Sequence, residues 1–353
     1  MEHMDVNPMG LAGFEFAEFT SPDPDKMAEL FEQMGFVAAS THPTKAITRY
    51  KQGRINLLLN REPSGHAADF RAAHGPSASA MAFRVQDARA AYEAAIERGA
   101  KPGAAGALDG VPALDGIGGS LLYLVDRHGD TGTLYDDWNA VPGAAEAEQA
   151  NSVGLDLLDH LTHNVKRGQM RTWSTFYAQI FGFEEQKYFD IKGKATGLFS
   201  QAMIAPDKAI RIPLNESQDD KSQIEEFIRD YNGEGIQHLA FTTDDIFTTV
   251  EKLRERGVRL QDTIETYYEL VDKRVPGHGH DLERLKKNRI LIDGDAGDEG
   301  LLLQIFTETM VGPIFFEIIQ RKGNEGFGNG NFQALYESIE LDQIRRGVIT
   351  VDA

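Results

Sequence analysis

The chain repeats itself, and the repeat limits what it can fold into. Ala82-Phe83 and Arg98-Gly99 recur as Ala240-Phe241 and Arg256-Gly257, in both cases 158 positions later. The helix end Gly35-Phe36 likewise recurs as Gly182-Phe183. Around these anchors the hydrophobic pattern runs twice through one order: a period-2 strand, an amphipathic helix stopped by glycine, then several strands. In the first half strands are expected at 13–19, 46–50, 55–59, 80–85, 121–125 and 132–137, with helices at 26–34, 67–73 and 88–98. In the second half strand 157–165 leads into helix 169–181, strands 184–190, 196–204 and 209–214, and helix 222–231. Strand 235–242, helix 245–256 and strands 289–293, 300–306 and 313–320 follow, with a final amphipathic helix over 332–346. Two similar modules are therefore expected, at 1–140 and 155–353. Residues 141–154, small and polar without an apolar period, are the expected linker.

Composition narrows the partners. A net charge of −19 argues against nucleic acid or an anionic membrane surface, both of which reward clustered Lys and Arg. No apolar run approaches the roughly 20 residues of a spanning helix. The polar N-terminus lacks the basic and apolar parts of a signal peptide, so a cytoplasmic location is expected. There is no cysteine, which removes disulfides, thiolate sites and a Cys nucleophile. Any metal has to be held by His, Asp or Glu.

Three apolar strands carry such side chains. Leu157-Leu158-Asp159-His160-Leu161-Thr162-His163-Asn164-Val165 holds two histidines on opposite faces of a strand, so they cannot readily share an ion. Gly235-Ile236-Gln237-His238-Leu239-Ala240-Phe241 and Pro313-Ile314-Phe315-Phe316-Glu317-Ile318-Ile319-Gln320 supply one ligand type each. His160, His238 and Glu317 would make the two-imidazole, one-carboxylate facial triad of non-haem Fe(II) oxygenases. Glu317 sits in the most apolar setting of the chain, where an uncompensated carboxylate is costly. His163, beside Leu161 and Val165, is the competing ligand, with a hydrogen-bonded core imidazole as its plainer role. His278 and His280 form a second candidate pair, in a Gly-rich loop. His3, His42, His66, His74 and His128 are expected on the solvated surface. By the repeat, His238 falls on Ala80, Glu317 on Asp137 and His160 near Phe14, so function is expected in 155–353.

Phenylalanines and glycines crowd the C-terminal end. Phe315 shares the face of Glu317 by alternation, and Gln304 and Phe306 share a face of the preceding strand, which describes a pocket for an aromatic substrate with a hydrogen-bonding group. Residues 323–332 contain four glycines and read as the hinge of a lid helix, with Phe327 and Phe332 closing over the substrate.

The motifs Asp159-His160-Leu161-Thr162-His163-Asn164-Val165, Gly235-Ile236-Gln237-His238, Leu303-Gln304-Ile305-Phe306, Phe316-Glu317-Ile318-Ile319-Gln320-Arg321 and Gly326-Phe327-Gly328-Asn329-Gly330-Asn331-Phe332 resemble the bacterial 4-hydroxyphenylpyruvate dioxygenase family. The resemblance extends over essentially the whole chain. It implies an α+β fold of tandem βαβββ modules forming two open β-barrels of the vicinal-oxygen-chelate type, plus a C-terminal lid helix. It further implies Fe(2+) held by His160, His238 and Glu317 in the second module only. The substrate pocket it implies comprises Ser200, Pro213, Asn215, Gln223, Gln237, Gln304, Phe306, Phe315, Phe327, Asn331 and Phe332. No separate acid or base is implied. The implied substrates are 4-hydroxyphenylpyruvate and O₂, the implied products homogentisate and CO₂, and the implied assembly a homo-oligomer, dimer or tetramer. Gln237 stands out, since alternation turns it away from the face of His238. Hydroxymandelate synthase is similar in fold, iron site and substrate, and a metal-free small-molecule binding protein on the same fold is the alternative of a different class.

Overall fold

The structure is a computed structural model that describes residues 7–104, 108–192, 197–295, 297, 300–331 and 333–334. Its chain forms two compact units. One runs up to Ser152 and takes in Leu158–Leu239 and Thr309–Phe315; the other comprises Val153–Leu157, Ala240–Glu308 and the chain from Phe316 on.

In the first unit, β1 (Phe14–Thr20) leads through α1 (Pro24–Gln33) to β2 (Val37–Thr41), β3 (Ile47–Gln52) and β4 (Ile55–Asn60). Then come α2 (His66–His74), β5 (Ser77–Arg84), α3 (Ala88–Glu97), β6 (Ala113–Asp115), β7 (Leu121–Val125), β8 (Asn139–Ala140) and α4 (Ala144–Asn151). The eight strands make one sheet in the order β6-β7-β5-β1-β4-β3-β2-β8. Central β1 is parallel to β4 and antiparallel to β5, and every one of its residues is buried. One face of the sheet collects Phe16, Leu58, Ala80, Ala82, Leu121, Tyr123 and Val125 into a core. On the other, Phe19 meets Phe31 of α1 edge-on with ring centroids 5.3 Å apart; burying one such ring contributes about 1.5–3 kcal/mol. Asp23 caps α1 by accepting from the Lys26 amide, and Pro24 opens the helix, where its missing N–H costs nothing.

The second half of the chain begins with β9 (Leu155–Val165), α5 (Met170–Phe181), β10 (Glu184–Lys192), β11 (Gly197–Ile204), β12 (Arg211–Ser217), α6 (Gln223–Asp230) and β13 (Gly235–Thr243). It continues through α7 (Ile246–Glu255), α8 (Glu265–Glu269), α9 (Val271–Arg274), α10 (Leu282–Asn288), β14 (Leu291–Asp295), β15 (Gly300–Phe306) and β16 (Phe315–Lys322). These strands form a second eight-stranded sheet, ordered β10-β11-β12-β9-β13-β16-β15-β14. The recurring Arg-Gly pairs are helix ends. Gly99 and Gly257 take φ of +100° and +81°, and the amides that follow them bond back to Ala95 O at 2.9 Å and Leu253 O at 3.0 Å.

Three expectations change. Residues 132–137 are not a strand, because Asp136 accepts from the Thr133 amide at 2.8 Å and from its hydroxyl at 2.6 Å, and so ties a turn. The place beside β5 that β16 occupies beside β13 belongs to β7, so Asp137 is not the counterpart of Glu317. The segment expected as a featureless linker contains α4, whose Ala, Glu and Gln are strong helix formers and whose Glu148 pairs with Lys51 at 2.7 Å. Of the final helix, residues 329–331 and 333–334 are helical, and the expected remainder lies outside the described residues.

Glu18 on β1 is 1% exposed, with the Ser79 hydroxyl donating to it at 2.8 Å. Burial raises its carboxyl above the ordinary value. A raised folded value means stability that is present at low pH and lost as pH rises through that value. Glu18→Gln is therefore expected to raise Tm at about pH 8 and to lose that advantage toward about pH 4, as read by thermal denaturation across pH.

Candidate metal centre

Period-2 alternation puts His160 and Thr162 on one face of β9, and the strand order brings β9, β13 and β16 side by side. His160, His238 and Glu317 are 2%, 8% and 3% exposed. Each offers one ligand atom, and these atoms all lie within 4.8 Å of one another. Among the described residues no other group of three His, Asp or Glu ligand atoms could share an ion.

Each imidazole is oriented by the side chain just before it. His160 Nδ1 donates to Asp159 Oδ2 at 2.8 Å, and Asp159 in turn faces the Arg211 guanidinium at 3.5 Å, Arg211 standing beside His160 in the β12–β9 register. His238 Nδ1 donates to Gln237 Oε1 at 2.7 Å. A proton on Nδ1 leaves the Nε2 lone pair as the donor a metal would use, and for His238 the Thr162 hydroxyl lies 3.0 Å from that nitrogen. The hydrogen bond from His238 resolves the position of Gln237. Its side chain curls back to the neighbouring ring, which simple alternation does not anticipate. Glu317 Oε1 accepts from Gln304 Nε2 at 2.9 Å. Two neutral imidazoles and one carboxylate, all buried and without thiolate, fit a divalent ion of the Fe(II), Co(II) or Zn(II) kind, with positions left over for exogenous ligands.

The other histidines take different roles. His163 is fully buried on the opposite face, with Nε2 2.7 Å from the Tyr177 hydroxyl, and burial drives its pKa down to about 3. His278 is bonded to Asp272 at 2.9 Å and stacks with His280, and among the described residues the two histidines belong to no group of three ligand atoms that could share an ion. His66, His74 and His128 are half-buried against the backbone carbonyls of Gly119, Tyr231 and Val85, and His42 packs on Trp138, so none is the freely solvated surface residue expected. His3 lies outside the described residues.

Phe315 stacks on the His238 ring at 4.8 Å, and Phe306 stands opposite Glu317 in the β15–β16 register. Ser200 pairs with Asn215 across β11 and β12, and Pro213 is buried two residues earlier. Gln223, the first residue of α6, is exposed. Asn331, 2% exposed, donates to Gln304 Oε1 at 2.7 Å, while Phe327 is half-buried under the Arg321 guanidinium. Phe332 lies outside the described residues. Sequence reading passes over Asp159, Thr162, Tyr267 and Arg274. For Asp159 a signal exists, since a charged residue directly before a ligand-type histidine in an apolar strand has to be compensated. Replacing it by Leu is expected to weaken divalent-metal binding about 10- to 100-fold in a chelator competition, with the fold kept.

Comparison with known proteins gives the family. Residues 6–139 match the model described as "Hydroxyphenylpyruvate dioxygenase, HPPD, N-terminal", and residues 157–270 match the Glyoxalase/Bleomycin resistance protein/Dioxygenase superfamily. A Pseudomonas aeruginosa 4-hydroxyphenylpyruvate dioxygenase is 59% identical over 97% of each chain, and a Vibrio vulnificus protein called hemolysin VllY is 55% identical over 98% of each. Among solved structures, a mutant 4-hydroxymandelate synthase from Streptomyces coelicolor superposes with a TM-score of 0.79 at 27% identity, covering 95% of this chain and 100% of that one. With that extent and level of identity, the chain belongs to the 4-hydroxyphenylpyruvate dioxygenase family.

Proposed function

We propose that the chain is an Fe(II)-dependent dioxygenase that converts 4-hydroxyphenylpyruvate and O₂ to homogentisate and CO₂ in tyrosine and phenylalanine catabolism. The observation that carries this reading is the buried group of two imidazoles and one carboxylate on adjacent strands, in a chain 59% identical to a dioxygenase of that name. Bound by His160, His238 and Glu317, Fe(II) would supply a docking point for the 2-oxo acid and the activation of O₂. The protein's part is orientation. Asp159 and Gln237 hold the two rings in one tautomer, and Gln304 holds the carboxylate. Phe315 and Phe306 offer apolar walls for the substrate ring, while Ser200 and Asn215 present a hydroxyl and an amide for its polar ends. Burial of the ligands keeps bulk water away from the oxidation.

The iron-bearing module in this reading is 155–353, with 1–140 as a metal-free partner on the same fold and 141–154 as the connection; the separate family matches to 6–139 and 157–270 support the division. A cytoplasmic homo-oligomer is part of the same proposal. No described helix is long and apolar enough to cross a membrane.

Oxygen uptake by Fe(II)-loaded protein with 4-hydroxyphenylpyruvate and no added 2-oxoglutarate, with chromatographic product identification, tests the reaction. Homogentisate is expected. 4-Hydroxymandelate would instead favour the synthase reading, which the superposition at a TM-score of 0.79 keeps in play. Glu317→Ala is expected to lose iron binding and turnover together, and turnover retained in that variant would remove the triad.

A further inference from the structure

Residues 262–290, which the sequence leaves without a role, fold as α8, α9 and α10, and their polar side chains lead back to Glu317. The Arg274 guanidinium donates through Nη2 to the Tyr267 hydroxyl oxygen at 2.7 Å, and the Ile292 amide donates to the same oxygen at 2.9 Å. With both of its lone pairs filled, the phenol has one proton to give, and the nearer acceptor is Asn331 Oδ1 at 2.6 Å, the Ile292 carbonyl lying at 3.2 Å; Arg274 Nη1 also lies 3.4 Å from Asn331 Oδ1. Asn331 Nδ2 then donates to Gln304 Oε1 at 2.7 Å, and Gln304 Nε2 to Glu317 Oε1 at 2.9 Å. A guanidinium can only donate and a carboxylate can only accept. The run between them therefore has one polarity that satisfies both ends, and flipping either amide would set two donors or two acceptors face to face.

We propose that Arg274 is a positioning residue for Glu317, acting through this chain of hydrogen bonds; the proposal rests on the triad reading above. Arg274 has a second grip on the same segment. Its Nη1 lies 3.9 Å from Asp293 Oδ1, and Asp293 Oδ2 accepts from the Gly330 amide at 2.7 Å. The glycines here are required by close approach. A Cβ on Gly328 would stand 1.6 Å from Gln304 Oε1, and one on Gly330 would stand 2.0 Å from Asp293 Oδ1. Residues 328–331 are thus strapped down at Gly330 and at Asn331, and Arg274 touches both straps. Arg274 Nε is buried without a partner, so the bonds made by its other nitrogens set its place.

The test loads wild-type protein, Arg274→Lys and Arg274→Met with Co(II) and reads affinity by chelator competition and the visible Co(II) spectrum, with kcat and KM read separately on the Fe(II)-loaded proteins. Arg274→Met is expected to bind Co(II) about tenfold more weakly, with altered bands and a fall in kcat larger than any change in KM. Arg274→Lys keeps one donor for Tyr267 and is expected to fall between the two. A residue with only a structural role would lower Tm and leave the Co(II) spectrum alone. Wild-type affinity and spectrum in Arg274→Met overturn the proposal whatever its Tm. Should that variant not fold, Arg274→Lys decides, and an unchanged affinity and spectrum there overturn it equally. Wild-type protein that takes up no Co(II) would instead sink the triad reading, so the two failures are distinguishable.

Discussion

A carboxylate buried in an apolar strand is the constraint on which the candidate centre depends. Glu317 stands in β16 between Phe316 and Ile318, both 1% exposed or less, and is itself 3% exposed. An isolated ionised group in such a place would neutralise or be driven out. The chain compensates it with a donated amide hydrogen from Gln304 and, in the function proposed, with a divalent cation. Much of the surrounding structure follows from keeping that amide in place: the second amide at Asn331, the phenol behind it, and the close-packed glycines that let residues 328–331 approach.

The first sheet shows two other solutions to the same problem. Glu15 of β1 is paired with the Arg84 guanidinium at 2.6 Å, and Glu18, three residues on, has its protonated form favoured by burial with a Ser79 hydroxyl beside it. An ion pair, a proton and a metal are three ways to tolerate a buried carboxylate. The first sheet uses the first two, and in the function proposed Glu317 uses the third, the only one of them that creates chemistry. Ala80, which the repeat sets against His238, packs with Phe16, Leu58 and Tyr123. The corresponding face of the first sheet is closed by an apolar cluster where the second carries imidazoles.

How much of this the sequence discloses depends on the range of the interactions. The β1 and β9 strands, the capped helices and the glycine-stopped helix ends are legible because their causes are local: strand-like side chains alternating or clustered in the sequence, an Asp or Ser before the helix, a positive φ after it. His160, His238 and Glu317 stand out because ligand-type side chains are rare in apolar strands. Residues 132–137 mislead because their alternation imitates a strand while Asp136 binds Thr133 and turns the chain. The role of 262–290 is illegible, since the contact from Tyr267 to Asn331 spans 64 residues and nothing in either segment's pattern announces the other.

The two kinds of ligand are held in different ways, and their covalent structure explains why. An imidazole has two nitrogens, with Nδ1 near its own backbone, so the adjacent residue can reach it; Asp159 and Gln237 each do so, and both rings are oriented within two residues of chain. A carboxylate has no hydrogen to give, so its rotation is set only by a donor that comes to it. A neighbour on the same strand points to the other face. The donor for Glu317 therefore arrives from β15, and that donor must itself be held against flipping. The cost of using a carboxylate is a longer support, and it recruits Asn331, Tyr267 and Arg274 from segments outside the candidate triad.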